Sequence, residues 1–370
     1  MILKSIHLRN FRVHKEAVLD FSGKLNYIVG GNGEGKTSIL ESIYYLCTTK
    51  SFNAKADYEV VKFDEQGFEI DGLFSDITRD KVKVIYSLPE NKKNYFQNSK
   101  IVSRSTEVIG RFPVVILTPA DHAITQGSPS ERRKFIDSVI SQANETYLKI
   151  LLDYNKILRH RSSLLSKMKE LRHTNLTAEF DAWTEKMVES GTELIEHRLL
   201  FIKEFNEFLR DSYKVILDES EVPGISYSFL DDFKGSEIKD RFMELLRERK
   251  EDELRRAANL IGPHRDDYIM DINDINLRTY GSQGQHKTFQ VVLRFAEFFY
   301  LKEITGKTPL FLLDDVFGEL DMERSIKISE YLREVGQAFI TLTDFTNLSF
   351  LEMKDEDTVF RIKNGVIAYA

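Results

Sequence analysis

The chain has 370 residues, 42% of them hydrophobic and 30% charged, with a net charge of −7. That balance excludes a disordered chain, and the negative sum excludes a wholly basic surface, so any DNA contact has to come from a local patch. A single cysteine, Cys47, rules out an intrachain disulfide and fits a reducing, cytoplasmic setting. No apolar run reaches the roughly 18 residues that a membrane span needs, so none is expected.

Alternating apolar and polar residues predict a strand over Ile2–Leu8, and a second is expected at Leu25–Val29. The second enters Gly30-Gly31-Asn32-Gly33-Glu34-Gly35-Lys36-Thr37, which satisfies G-x-x-x-x-G-K-[ST], and Ser38–Leu46 reads as a helix leaving it. Strand, glycine loop and helix N-terminus together form an anion site, because backbone N–H groups and the helix dipole both favour phosphate. The glycines reach φ values that other residues avoid. Lys36 brings a point charge for the β- and γ-phosphates, and the Thr37 hydroxyl is a magnesium ligand. Nucleotide binding is therefore expected at residues 30–37.

Further strands are expected at Phe68–Phe74, Val82–Leu88 and Pro113–Leu117, with a turn-like cluster over 89–94. From Ser130 to Thr174 glycine and proline are absent, and Tyr147, Ile150, Tyr154, Ile157, Arg161, Leu164, Met168 and Leu171 recur at steps of three and four. The segment 173–177 interrupts this stripe. Phe180, Trp183, Met187, Leu194, Arg198, Ile202 and Phe205 form another, which predicts two helices packed as an antiparallel hairpin. Pro223-Gly224 ends that region, Ile225–Phe229 reads as a strand and Ile238–Leu254 as a charged helix. A helix over about 287–301 and strands at Tyr268–Ile272, Pro309–Leu313 and Ala338–Leu342 complete the pattern. The expected architecture is α/β, a head formed by 1–121 and 256–370 and split in sequence by a helical insertion over 122–255.

Two later motifs bear on the nucleotide. Leu310–Leu313 ends in Asp314-Asp315. An Asp at a strand end holds magnesium in P-loop proteins, so Asp314 is the expected partner of Thr37, and Asp315 is placed to orient or deprotonate an attacking water. Tyr280-Gly281-Ser282-Gln283-Gly284-Gln285 opens the 287–301 helix and reads alone as a glycine turn with a helix cap, or as a second phosphate site.

In combination with the P-loop and Asp314, Ser282-Gln283-Gly284-Gln285 resembles the Ser-Gly-Gly-Gln signature of ATP-binding-cassette ATPases. Gly318-Glu319-Leu320-Asp321 resembles their D-loop, with Gly318 where Ser is usual. Leu8-Arg9-Asn10-Phe11-Arg12, Thr118-Pro119-Ala120-Asp121, the run from Gly127 to Asp137 and Gly262-Pro263-His264-Arg265-Asp266-Asp267 narrow the resemblance to the RecF family, over nearly the whole chain. That resemblance implies an ABC-type ATPase head with a short helical arm, and ATP and Mg2+ as cofactors. It implies an ATP-dependent homodimer in which Ser282, Gln283, Gly284 and Gln285 of one subunit close the γ-phosphate site of the other. It further implies sequence-independent binding of single-stranded and junction DNA, and action with RecR and RecO in loading RecA during recombinational repair, replication restart and the SOS response. Arg12 is a candidate nucleotide contact by analogy with related heads, or else a strand-end surface charge. A transporter ATPase subunit and a chromosome-organising head are the alternatives, and the long helical insertion counts against the first.

The resemblance implies hydrolysis stimulated by DNA, and two departures from the family pattern imply that it is slow. Asp315 stands where most cassette ATPases have Glu, which sets the carboxylate about one methylene further from a water. Thr341-Leu342-Thr343-Asp344 carries no switch His, leaving Thr343 or Asp344 to sense the γ-phosphate. For DNA, Tyr147–His173 carries seven Lys or Arg against two acids, and Lys149, Lys156 and Lys167 share one helical face. Lys149, Lys156, Arg159 and Lys167, with a second cluster at Arg132, Arg133 and Lys134, are the candidate backbone contacts, set against a plain solvated helix face.

Overall fold

The structure, a computed structural model, describes residues 1–76, 78–171, 176–216, 221–235, 237–319, 322–343, 354–363 and 365–369. Up to Asp121 the chain forms β1 (Ile2–Phe11), β2 (His14–Asp20), β3 (Leu25–Gly30), α1 (Lys36–Thr48), β4 (Gly67–Ser75), β5 (Arg79–Ser87), β6 (Lys92–Gln97), β7 (Lys100–Val102) and β8 (Val114–Leu117). Then follow α2 (His122–Gln126), α3 (Pro129–Ala143), α4 (Glu145–Leu171), α5 (Thr177–Ile216), β9 (Pro223–Ser228), α6 (Ile238–Glu248), α7 (Lys250–Arg256), β10 (Asp267–Ile272), β11 (Ile275–Asn276) and α8 (Leu277–Tyr280). The remainder forms α9 (Gln283–Thr305), β12 (Leu310–Asp314), α10 (Met322–Val335), β13 (Ala338–Leu342), β14 (Thr358–Lys363) and β15 (Val366–Tyr369). Among the described residues no helix is long and apolar enough to cross a membrane.

Two compact units result, Met1–Asp121 with Asp211–Ser220 and Lys287–Ala370, and His122–Arg210 with Glu221–His286. The first unit, the α/β head, contains two six-stranded sheets, one antiparallel in the order β2-β1-β4-β5-β6-β7 and one in the order β15-β14-β3-β13-β12-β8. In the second sheet β14, β3, β13, β12 and β8 run parallel. β12 and β13 are buried at every position, as expected of parallel strands covered on both faces. α1 packs against strands of both sheets, so Ile39, Leu40, Ile43 and Leu46 point in more than one direction and are all fully buried. Each such side chain contributes about 1.5–3 kcal/mol relative to an exposed one.

The second unit bears out the expected hairpin. Arg161 of α4 bonds Thr184 of α5, and Tyr147 of α4 bonds Arg198 of α5, so rising numbers on one helix meet falling numbers on the other. The helix expected over 238–254 is broken at Arg249 (φ −95°, ψ 3°) into α6 and α7. The partition at 255/256 also needs correction. Residues 256–286 group with the helical unit, because β10 pairs with β9 along its length, from Asp267 opposite Ser228 to Ile272 opposite Pro223. β2 and β6 exceed the expectation: the turn spans 88–91, and Lys92 already begins β6.

Candidate nucleotide site

β3 lies between β14 and β13, and the glycine loop leaves its C-terminal end. Gly33 (φ 80°) and Gly35 (φ 102°) occupy the left-handed region, which glycine adopts without penalty. A Cβ on Gly35 would stand 2.5 Å from Val13 Cγ2 and 2.6 Å from His14 Nε2, so the loop is pressed against the β1–β2 turn. A Cβ on Gly30 would lie 2.6 Å from the Ile362 carbonyl of β14. No side chain caps α1, and its first turn holds no acid. Its leading N–H groups therefore remain available to an anion in the loop.

Lys36 folds back over this loop. Its Nζ donates to the carbonyls of Gly30 (2.7 Å) and Gly31 (2.8 Å), which uses two of its three N–H groups. Burial lowers its pKa against the pull of Asp315, Asp314 and Glu34. Thr37 Oγ1 meets the Asp314 carboxylate at 2.8 and 3.0 Å, joining residues 277 positions apart. The sheet brings them together, since β12 and β3 flank β13. Burial raises the pKa of Asp314, opposed by the hydrogen bonds from Thr341 and Thr37. A hydroxyl and a carboxylate facing one point are hard oxygen donors of the kind Mg2+ takes beside phosphate oxygens. Asp315 follows at φ 51°, half-buried at the turn.

Arg12 sits apart from this pair. Its Nε and Nη2 clamp the Glu41 carboxylate at 2.7 and 2.6 Å, and its Nη1 donates to the Glu59 carbonyl at 3.0 Å. As placed, the guanidinium braces α1, and Glu41, 1% exposed, is the residue that sequence reasoning missed. The signal was present: an acid next to Leu40 and close to Ile39 and Ile43, apolar inner positions of the same helix. His14 was missed too. Its buried ring donates from Nε2 to the Gly35 carbonyl (3.0 Å), and nothing in its sequence surroundings marks it.

Ser282, Gln283, Gly284 and Gln285 lie in the helical unit, at the start of α9. Ser282 N–H donates to Gln285 Oε1 (2.9 Å) and Gln285 N–H to Ser282 Oγ (3.1 Å), the reciprocal pattern of a capping box. Gln285 Nε2 also donates to Glu221 (2.8 Å). Gly318 and Glu319 form a 3-10 turn, and Thr343 is exposed. Leu320, Asp321 and Asp344 fall outside the described residues.

Lys149, Lys156, Arg159 and Lys167 are exposed on α4, Lys149 pairing with Glu145 at 2.7 Å. Arg161 leaves the basic set, being buried against Glu253. The Arg132 assignment is corrected, while Arg133 is half-buried. Arg132 is buried, clamped on Asp267 at 2.7 and 2.9 Å, and Arg133 donates to the Asp266 carbonyl at 2.6 Å. Both are held by β10 and its approach, 133 to 135 positions downstream, which no local pattern could announce. Lys134 remains exposed and pairs with Glu131. Arg172 and His173 lie outside the described residues.

Comparison with known proteins places these features in a lineage. Residues 2–368 match the RecF/RecN/SMC N terminal domain family. A DNA replication and repair protein RecF from Chloroherpeton thalassium is 39% identical over 373 residues, covering 99% of this chain and 100% of the relative. Its counterpart from Salinibacter ruber is 36% identical, covering 93% of this chain and 85% of the relative. A solved structure of the recombination mediator protein RecF with ATPrS, in the RecFOR pathway, superposes with a TM-score of 0.88 at 33% identity, over 99% of this chain and 97% of that one. The Smc head domain of Pyrococcus furiosus shares the fold at a TM-score of 0.57 and 14% identity, over 100% of this chain and 96% of that one. By sequence over nearly its full length, and by fold, this chain belongs to the RecF family.

Proposed function

We propose that this chain is an ATP-binding, slowly hydrolysing switch that dimerises on DNA in recombinational repair. The observation that carries the reading is the meeting of Thr37 with Asp314 at 2.8 Å beside a P-loop whose helix is uncapped. RecF relatives are named for DNA replication and repair, and solved RecF structures hold ATP or ATPrS. In this reading Gly30–Thr37 hold the phosphates and Lys36 turns its remaining N–H toward them. Thr37 and Asp314 hold Mg2+, which would supply charge neutralisation at the phosphates. Asp315 orients the water. A groove of about 600 Å3 at the β1–β2 turn, lined by Asn10, Val13 and charged side chains that include Arg9, Lys15, Glu16 and Lys62, is where this reading puts the nucleoside end.

Ser282 and Gly284 would close the site of a second copy. The capping bond uses Ser282 Oγ as acceptor, so the hydroxyl proton can still be directed to a phosphate. The exposed cations of α4 would follow a DNA backbone without reading bases. Action with RecR and RecO in loading RecA, replication restart and the SOS response belong to the same proposal. Sedimentation with and without ATP–Mg2+, repeated with gapped, single-stranded and duplex DNA over a salt series, tests it. The expected result is a dimer with ATP that gapped DNA strengthens, while Ser282→Arg binds ATP and stays monomeric. A wild-type chain that remains monomeric with ATP, Mg2+ and DNA would sink the reading.

A further inference from the structure

Thr341 opens the segment Thr341-Leu342-Thr343-Asp344, in which Thr343 and Asp344, and not Thr341, are the candidate γ-phosphate sensors. It is the penultimate residue of β13, among Phe339, Ile340 and Leu342, and is 0% exposed. An apolar residue is the ordinary occupant of such a position, since a hydroxyl left unbonded in a dry interior is costly. Here the hydroxyl is fully used. In the parallel register Thr341 stands opposite Asp314. Its Oγ1 donates to Asp314 Oδ1 at 2.8 Å and accepts the Asp315 N–H at 2.9 Å. The other acceptor in reach, the Leu313 carbonyl, is at 3.5 Å, so the single hydroxyl proton goes to the carboxylate.

Both acids at the end of β12 are therefore tied to one side chain on the neighbouring strand. Asp314 is held at its carboxylate. Asp315 is held at its backbone, where φ is 51°, a conformation that costs a non-glycine residue roughly 1–2 kcal/mol. The bond from its N–H to Thr341 opposes relaxation of that turn. Thr37 is a different kind of partner, because it sits at the start of α1 beside the glycine loop and its hydroxyl can turn from Asp314 to a bound ligand. Thr341 lies in the core, where the other acceptor in its reach is the more distant Leu313 carbonyl.

We propose that Thr341 is a positioning residue that fixes the Asp314 carboxylate for the metal and the Asp315 turn for the water. This rests on the reading of the site as an ATP–Mg2+ site. The test compares Thr341→Val, which keeps the shape and removes the hydroxyl, with Thr341→Ser, which keeps the hydroxyl. Three quantities are measured on the full chain: affinity for a fluorescent ATP analogue in EDTA, the Mg2+ concentration that half-saturates its metal-dependent binding, and steady-state turnover. For Thr341→Val, affinity in EDTA should stay within about two-fold of wild type, the Mg2+ midpoint should rise about ten-fold or more, and kcat should fall more than KM changes. Thr341→Ser should recover to within about three-fold of wild type.

The inference is overturned if Thr341→Val keeps the wild-type Mg2+ midpoint and turnover. It is equally overturned if that variant loses affinity in EDTA as strongly as with Mg2+, or if Thr341→Ser is no better. Should Thr341→Val show no cooperative melt, Thr341→Ala carries the same comparison. A wild-type chain with no Mg2+ dependence would instead refute the underlying reading of the site, and the EDTA and Mg2+ arms separate the two failures.

Discussion

The phosphate loop and the centre of the helical unit both put charged side chains out of water, and they do it for opposite ends. At the loop, Lys36 and Asp314 each keep an exchangeable partner: two backbone carbonyls for the first, and for the second the Thr37 hydroxyl, opposite the buried Thr341 that holds the same carboxylate. In the helical unit, Arg161 is 1% exposed and each of its three guanidinium nitrogens donates a hydrogen bond. It bonds Glu253 and Asn259 at 2.6 Å each, bonds Thr184 at 3.0 Å, and stacks on Phe180 with the guanidinium 4.4 Å from the ring centre. Arg198 is similar, with Asp137 and the Pro263 carbonyl both at 2.8 Å. A charge satisfied by its own fold is structure, whereas a charge satisfied provisionally is a site waiting for a ligand.

Breaking the structural pair should have the largest effect. Arg161→Met strands Glu253, which is 0% exposed, and removing one partner of a buried pair costs about 3–5 kcal/mol. Trp183 is the only tryptophan of the chain and lies on α5, so urea unfolding followed by its fluorescence reports this unit. The denaturation midpoint should drop sharply, while nucleotide affinity measured under native conditions stays near wild type. Adding Glu253→Leu should restore much of the loss, because the orphaned charge is gone. Lys36→Met should do the reverse. Nucleotide affinity should fall by about two orders of magnitude, as when a charged partner of phosphate is removed, with the Trp183 unfolding curve unchanged. If both variants moved both readouts together, the contrast between the regions would fail.

The same contrast explains what could be read from the sequence. The loop was legible because its chemistry is consecutive: strand, glycines, Lys36, Thr37 and helix follow one another, and Asp314 sits at the end of an unmistakably apolar strand. The two helical stripes were legible as periodicity, and they include Arg161 and Arg198, but what neutralises these two charges was not legible. Their acids come from 92 positions later and 61 positions earlier, on other helices. Arg132 misled for the same reason, since Asp267 lies 135 positions away. β2, with charged residues on its exposed face, carried too weak an alternation to stand out. Thr341 was in view as part of a segment, yet only the strand register shows which carboxylate it touches.

Acid titration sharpens the contrast within the helical unit. His264 accepts from Tyr154 at Nδ1 (2.9 Å), and its Nε2 faces the Asn259 carbonyl (3.2 Å), an arrangement that suits the neutral ring. Burial lowers its pKa to about 4. A depressed histidine contributes stability that is present above its unfolded value near 6.5 and lost as pH falls toward 4. Burial raises Asp266 to about 6, and that group has the opposite slope, its contribution being lost as pH rises from 3.8 to 6. Between pH 4 and 6 the two oppose each other. Relative to wild type, His264→Asn should make the Trp183 unfolding midpoint fall as pH rises through this window, and Asp266→Asn should make it rise. Parallel pH profiles for the two variants would contradict the assignment.

The smallest expected effect returns to the loop and asks whether its shape depends on a single hydrogen bond. His14 is buried beneath Gly35, and burial lowers its pKa, so the ring is neutral near pH 7 with one N–H to give. That N–H goes to the Gly35 carbonyl, and the peptide it holds leads directly into Lys36. A hydrogen bond of this kind contributes about 0.5–1.5 kcal/mol, or roughly two- to ten-fold in nucleotide affinity if it fixes the loop. Replacement by glutamine tests it, because the Gln amide nitrogen reaches the position of Nε2 whereas the Asn amide reaches only that of Nδ1. His14→Gln should bind the fluorescent ATP analogue close to wild type, and His14→Asn and His14→Leu should both be weaker by that factor. If leucine bound as well as glutamine, the ring would matter only for filling the space under the loop. The loop's shape would then come from the left-handed glycines and the close approach of Val13 alone.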